Sequence, residues 1–194
     1  MGRIALRYEI RWHGRGGQGA VTASMVLAMA AIYEGKYAQA FPEFGAERRG
    51  APVKAYTRIG DEPILTRAPI LNPDIVVVLD PSLPKELYLA GVKDSTIFLI
   101  NTKKNPREIA EDLGVPVERV YTVNATKIAL EVLKVPIVNT AMVGALVHVV
   151  PLVKLESVKK AVLETFPGRL GEVNVLAVER AYEEVAGKIV EVNP

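Results

Sequence analysis

A glycine-rich turn between an alternating apolar stretch and a helical pattern is the feature that most constrains this fold. Gly14, Gly16 and Gly19 have the G-x-G-x-x-G spacing. Alternation over 4–12 predicts a strand before them, and apolar residues at helical spacing predict a helix over about 18–33. Glycine lets the backbone turn sharply, and the first N–H groups of the following helix can bind an anion. The segment therefore predicts a strand, a tight turn and a helix in direct succession.

The same spacing occurs in dinucleotide-binding folds, but the rest of that signature is missing. Such a site needs an acidic residue about 20 residues later, at the end of the second strand, to hold the ribose hydroxyls. The corresponding stretch, 37–41, has no acid, and Glu43 follows Pro42. Three interpretations stay open: a nicotinamide or flavin site, a turn for close packing of strand and helix, and a subunit interface near a phosphate-bearing ligand. The first is the least favoured because the acid is absent.

Strand patterns alternate with helical patterns along the chain. The continuous apolar run at 74–80 is typical of a strand that is covered on both faces. This alternation predicts an α/β fold: a layered, largely parallel sheet with helices on both faces and a helix-rich C-terminal part. The length of 194 residues predicts a single domain over 1–194. The predicted strands are 4–12, 37–44, 52–59, 74–80, 96–100 and 117–123, and the predicted helices are 18–33, 82–90, 106–113, 125–133, 140–150, 155–165 and 172–186.

The chain contains no cysteine and only two histidines, His13 and His148. It therefore cannot supply thiolate ligands to an iron–sulfur cluster or a zinc ion, and it has no thiol nucleophile. We expect His13 to be a hydrogen-bonded residue at the end of a strand and His148 to lie in the core. No catalytic residue and no metal site is predicted.

Charge and hydropathy limit the partners of the chain. The net charge of +2 argues against a nucleic-acid surface, which needs a clustered basic excess. No apolar run approaches the roughly 18 residues of a membrane-spanning helix, and residues 1–12 lack the apolar core of a signal peptide. We therefore expect a cytoplasmic protein that binds neither nucleic acid nor membrane.

A second segment, 39–52, combines aromatic residues, prolines and glycines with a Glu-Arg-Arg triplet, which predicts an ordered loop. Arg48 and Arg49 could bind a carboxylate or phosphate, because guanidinium groups match such anions bidentately. The alternative is an exposed turn held by salt bridges, and it is favoured when this segment is taken alone. Asp80, after the buried strand, is expected to begin a turn with an N-cap for the next helix.

Together, the two segments resemble the gamma subunits of 2-oxoacid:ferredoxin oxidoreductases. The second segment is more similar to the pyruvate and 2-oxoisovalerate branch than to the 2-oxoglutarate branch. The similarity is colinear over residues 4–185 and nearly fills the chain. The segments that carry it are 13–21, 37–42, 44–53, 80–83, 101–102 and 139–145.

The resemblance implies an assembly of alpha, beta, gamma and delta chains. The implied reaction is the reversible conversion of pyruvate and coenzyme A into acetyl-CoA and CO2 with reduction of ferredoxin. Thiamine diphosphate, Mg2+ and 4Fe-4S clusters would be held by the other chains, so that this chain binds no cofactor by itself and is structural.

The resemblance also indicates where this chain meets the rest of such an assembly. The residues that we expect to lie at a subunit interface or to face the phosphates of coenzyme A are Gly14, Arg15, Gly16, Gly17, Gln18, Gly19, Arg48 and Arg49. Two alternatives remain. The first is a gamma subunit that serves 2-oxoisovalerate or another 2-oxoacid enzyme, and the second is a Rossmann-type NAD(P)-dependent oxidoreductase.

Overall fold

Six strands form one sheet in the computed structural model, which describes residues 7–43 and 50–187. In chain order the strands are β1 Arg7–Arg15, β2 Tyr37–Pro42, β3 Pro52–Gly60, β4 Ile75–Val78, β5 Ile97–Asn101 and β6 Val120–Val123. Their spatial order is β2-β3-β1-β4-β5-β6. β1, β4, β5 and β6 are parallel neighbours, whereas β3 pairs antiparallel with both β1 and β2. Only β3 therefore runs against the other strands of this sheet.

Helices cover both faces of the sheet. They are α1 Ala20–Tyr33, α2 Lys85–Leu89, α3 Pro106–Leu113, α4 Ala125–Val132, α5 Asn139–Val149, α6 Leu155–Thr165 and α7 Arg169–Glu184. Along β4, Ile75 and Val77 pack with α1 and α4 to α7, whereas Val76 and Val78 pack with α2 and α3. A strand buried on both faces explains the continuous apolar run. The predicted layered α/β fold, with its helix-rich C-terminal part, is confirmed.

Local sequence signals explain where several helices begin and end. At α3, Asn105 and Glu108 form a capping box, Pro106 occupies the first turn, and Gly114 closes the helix in the left-handed conformation. α1 differs because none of its residues is charged and its N-cap, Gly19, offers no side-chain hydrogen bond. An apolar helix of this kind depends on burial rather than on capping.

The C-terminal helices pack closely on one another. Gly144 of α5 lies directly against the backbone of α7. The approach is so close that a Cβ at this position would collide with the carbonyl oxygen of Val178. Nearby, the Thr140 hydroxyl donates a hydrogen bond of 2.8 Å to Oδ1 of Asn174. Both polar groups are buried, so this bond satisfies them inside the helical layer.

Some predicted boundaries differ from the structure. The helix predicted over 82–90 is Lys85–Leu89, and Pro84 occupies its N-cap position, so the N-cap expected near Asp80 was wrong. Residues Val117–Arg119, predicted as strand, form a 3-10 turn that follows Pro116. β1 extends to Arg15 because β3 pairs with it along its full length. Residues 4–6 and Phe44, parts of two predicted strands, lie outside the described residues.

Candidate functional site

A cleft of about 560 Å³ lies where the parallel strands end. Its walls come from the loop after β1, the turn after β4, the last residue of β5 and the start of α4. Open α/β sheets bind ligands at this edge, in the crevice outside the carboxyl ends of the strands. The lining residues are Gly16, Gly17, Gln18, Leu79, Asp80, Pro81, Asn101, Thr126, Val135, Pro136, Ile137 and Val138.

The glycines of the loop after β1 have separate physical roles. A Cβ at Gly14 would lie 3.2 Å from Oε1 of Gln18 and 3.4 Å from Cβ of Leu79, so this position is tightly packed. Gly19 has a φ of +81°, and a Cβ there would lie 2.6 Å from Nδ2 of Asn139. Gly17 has a φ of +96° with nothing within 4 Å, so only its backbone conformation requires glycine. Close packing accounts for Gly14, backbone geometry accounts for Gly17, and both account for Gly19.

Arg15 and Gln18 both bind Asp80, and this fixes the loop to the turn after β4. Nε of Arg15 lies 3.0 Å from Oδ2 of Asp80, and Nε2 of Gln18 donates to the same oxygen at 3.1 Å. Oε1 of Gln18 accepts a bond of 2.7 Å from the N–H of Arg15. Burial raises the pKa of Asp80, but hydrogen bonds from Ser82 and Gln18 and the charge of Arg15 outweigh it, so the pKa is lowered. The carboxylate is therefore the ionised centre of this network.

The described end of the second segment lies directly on the glycine loop. Nη1 of Arg15 donates to the carbonyl oxygen of Gly50 at 3.2 Å. The N–H of Gly16 donates to the carbonyl oxygen of Ala51 at 2.9 Å, and the N–H of Gly50 donates to the carbonyl oxygen of Gly16 at 3.2 Å. The structure thus brings together two segments that the sequence analysis considered separately. Arg48 and Arg49 lie outside the described residues.

Asn101 lines the cleft, and the sequence analysis gave it no role there. Its Nδ2 donates to the carbonyl oxygen of Leu79 at 2.8 Å and to Oγ1 of Thr126 at 2.9 Å, while its Oδ1 accepts from the N–H of Thr126. These bonds tie the turn after β4 to β5 and α4 at the cleft. A polar residue at the carboxyl end of a buried strand is the signal that could have identified both Asn101 and Asp80.

The first turn of α1 lies beside a second, smaller cavity of about 250 Å³. Arg15, Gly16, Gly19 and Val53 are among the residues that line it. The first N–H groups of a helix have no partner within the helix and carry partial positive charge. The first N–H groups of α1, directly after the glycine loop, are therefore chemically suited to bind a negatively charged group.

The topology does not form a dinucleotide-binding unit. In that unit the helix after the glycine loop leads to a strand that lies next to the first strand. Here α1 leads to β2, and the antiparallel β3 separates β2 from β1. Glu43, the first acid after β2, is held by Tyr56 and Lys54. Glu43 therefore follows β2, which lies two strands from β1 and its glycine loop, and its carboxylate already has two partners.

The two histidines occupy structural positions. His13 is buried and accepts a hydrogen bond from Arg11, as expected. His148 is half-buried rather than fully in the core, and its ring packs edge-on against Tyr182 with a centroid distance of 4.6 Å. Within residues 7–43 and 50–187, no group of histidine or acidic residues is arranged to hold a metal ion. The same part of the chain has no helix that is both long and apolar enough to cross a membrane.

Comparison with known proteins gives consistent matches along nearly the whole chain. The family model described as pyruvate ferredoxin/flavodoxin oxidoreductase matches residues 9–184. Pyruvate synthase subunit PorC of Methanocaldococcus jannaschii is 55% identical over 181 residues, which cover 93% of this chain and 98% of that protein. The Pyruvate/ketoisovalerate oxidoreductases common subunit gamma of Thermococcus kodakarensis is 55% identical over 177 residues, with 91% and 96% covered. The crystal structure of pyruvate oxidoreductase subunit PORC from Thermotoga maritima has a TM-score of 0.82 at 44% identity and covers 92% of this chain and 97% of its own.

Proposed function

This chain belongs to the pyruvate ferredoxin/flavodoxin oxidoreductase family, and we propose that it is the gamma subunit of a pyruvate:ferredoxin oxidoreductase, or pyruvate synthase. The observation that carries this proposal is the 55% identity to a pyruvate synthase subunit over 93% of the chain. The complex oxidatively decarboxylates pyruvate with coenzyme A, giving acetyl-CoA, CO2 and reduced ferredoxin, and the reaction is reversible. The whole chain acts in it as one α/β domain in the cytoplasm.

In this proposal the chain is a structural subunit, and alpha, beta and delta chains hold the cofactors. Iron–sulfur clusters need thiolate ligands, and this sequence has no cysteine. Thiamine diphosphate is held through a metal ion, and the described residues offer no cluster of metal-binding side chains. The chain therefore lacks the ligands that such clusters need, and its described residues 7–43 and 50–187 do not fit Mg2+. Ferredoxin and coenzyme A would meet the complex through surfaces that include other subunits.

The glycine loop is the region that we propose to face the catalytic chains or the phosphates of coenzyme A. Its charged side chain, Arg15, already binds Asp80, Ser82 and Gly50, so we assign it to bracing the loop rather than to binding an anion. Gly14 has a packing role. Gly16, Gly17, Gln18 and Gly19 would offer backbone and amide groups, and Arg48 and Arg49 would supply positive charge.

A second candidate function has its own observation. The relative from Thermococcus kodakarensis is named as a common subunit of pyruvate and ketoisovalerate oxidoreductases. By analogy, this chain serves a 2-oxoisovalerate enzyme as well. Reconstitution with each set of catalytic subunits distinguishes the two cases, because a shared subunit must restore both activities.

Reconstitution of the complex also tests the main proposal. Adding this chain to the other purified subunits is expected to yield a stable complex that makes acetyl-CoA from pyruvate and reduces ferredoxin. The double variant R48A/R49A should weaken assembly or turnover and leave the fold of the isolated chain unchanged. Full assembly and full turnover by that variant would refute its role at the interface. A melting temperature of the isolated chain raised by several degrees with NAD(P)H would instead favour a dehydrogenase.

A further inference from the structure

The connection between β3 and β4 is a long segment without helix or strand, and residues 63–73 of it are called the arm here. The arm contains Pro63, Pro69 and Pro73, each of which restricts the backbone. Irregular connections of this length are uncommon in compact domains and are usually functional. The arm lies on the face of the sheet that α2 covers, whereas α1 covers the opposite face. The arm is therefore separate from the cavity beside the start of α1.

Two buried arginines hold the backbone of the arm. Nη2 of Arg58 donates to the carbonyl oxygen of Ala68 at 2.7 Å, and Nη1 of Arg11 donates to that of Leu71 at 3.2 Å. Arg11 is only 5% exposed and Arg58 2%. Placing guanidinium groups out of water is costly unless their hydrogen bonds are satisfied, so these bonds define one backbone path. Ile70, which is buried, anchors the same stretch by its side chain.

The outer surface of the arm carries apolar side chains and one cation. Leu65 is 92% exposed and Leu71 72%, more than any other large apolar residue in the described part of the chain. Arg67 lies between them in sequence, is exposed, and forms no ion pair with residues 7–43 or 50–187. Burying a leucine side chain is favourable by about 1.5–3 kcal/mol. A rigid segment that presents such groups has the character of an interface.

We propose that the arm docks onto another subunit of the oxidoreductase complex, with Leu65 and Leu71 in an apolar groove and Arg67 paired with a carboxylate of that subunit. The inference rests on the proposed function, because it requires partner subunits. Charge argues against a second copy of this chain as the occupant. A two-fold interface centred on the arm would place the two Arg67 side chains near each other, and like charges repel.

Binding of the purified chain to the complex assembled without it tests the proposal. The arm variants are L65S/L71S and R67E. The control is L130S/L176S, since these leucines are also exposed, to a smaller extent of 48% and 51%, but lie on α4 and α7. We expect each arm variant to raise the Kd about tenfold or more and the control to stay within about twofold. Unchanged melting temperatures of the isolated variants will show that all of them fold.

The outcomes separate this inference from the proposed function. Failure of the wild-type chain to bind the other subunits overturns the proposed function and the docking proposal with it. Tight binding by the wild type together with an unchanged Kd for L65S/L71S overturns the docking proposal alone. An arm variant that only converts a dimer of the isolated chain to a monomer also overturns it, because the occupant is then a second copy.

Discussion

Nε of Arg11 donates a hydrogen bond of 2.9 Å to Nε2 of His13 on the same face of β1. The imidazole must be neutral to accept this bond. Burial, followed by the positive charges of Arg11 and Lys54, lowers the pKa of His13 to about 3. The other N–H groups of Arg11 bind carbonyl oxygens of the arm and of the end of α2. A neutral histidine therefore helps to orient the arginine that holds the arm.

The lowered pKa of His13 predicts a loss of stability in acid. Below the ordinary pKa of 6.5 the unfolded chain binds a proton that the folded chain does not bind until about pH 3. The contribution of His13 is therefore fully present above pH 6.5 and decreases as the pH falls, by up to about 1.4 kcal/mol per pH unit. His13→Gln keeps an acceptor for Arg11 but does not titrate. Urea unfolding of both proteins across this range should give diverging curves, and parallel curves would contradict the prediction.

Replacement of Arg11 should be costly. Arg11→Met leaves the carbonyl oxygens of Leu71, Tyr88 and Ala90 without their donor, and we expect the free energy of unfolding to drop by about 3 kcal/mol. Arg7→Met is the control, because Arg7 is exposed and should change this free energy by no more than about 0.5 kcal/mol. Denaturant titration measures both. Equal effects of the two substitutions would show that the buried bonds do not stabilise the fold.

Gly19 and Gly17 provide a matched pair for the glycine loop. Both have positive φ, but only at Gly19 would a Cβ collide with Asn139. Gly17→Ala should lower the free energy of unfolding by about 1 kcal/mol, the cost of the left-handed conformation, and Gly19→Ala by clearly more. Asn139→Ala in the Gly19→Ala background should recover part of this difference, because it removes Nδ2 and Cγ but leaves the Cβ of residue 139 at 3.0 Å. A double-mutant cycle with no coupling between the two positions would exclude that explanation.

The lowered pKa of Asp80 predicts a second, weaker dependence of stability on pH. Its pKa is lowered, so the stability it contributes is present above the pKa of the unfolded chain and is lost as the pH falls through the folded value. Asp80→Asn should reduce the free energy of unfolding near neutral pH by about 1 kcal/mol, since the ion pair with Arg15 is partly exposed. The difference between the two proteins should disappear in acid and shrink in high salt. A difference that is independent of pH would show that the charge of Asp80 is unimportant.

Periodicity predicted most elements of the fold but not the direction of every strand. The apolar run at β4 identified a strand buried on both faces, because burial leaves no polar alternation. The alternation at β3 defined its two faces and gave no information on its direction, so its antiparallel position between β1 and β2 was not predicted. Arg11 alternates with apolar residues as a solvent-facing residue would, yet it is buried under the arm. Only long-range packing determines that burial.

The candidate site was predicted in part. The spacing of Gly14, Gly16 and Gly19 located the loop, because glycine geometry is local. The bonds of Asp80 and Asn101 were not anticipated, since they depend on which strand ends the topology brings together. The roles proposed for Arg48 and Arg49 stay predictions.

The contact between Gly144 and Val178 limits how this subunit can move. With two helix backbones in direct contact, neither α5 nor α7 can slide along the other without opening a gap or forcing atoms to overlap. Shear between α5 and α7 is thereby disfavoured. These two helices are therefore expected to move together, as one unit, in any rearrangement that accompanies turnover.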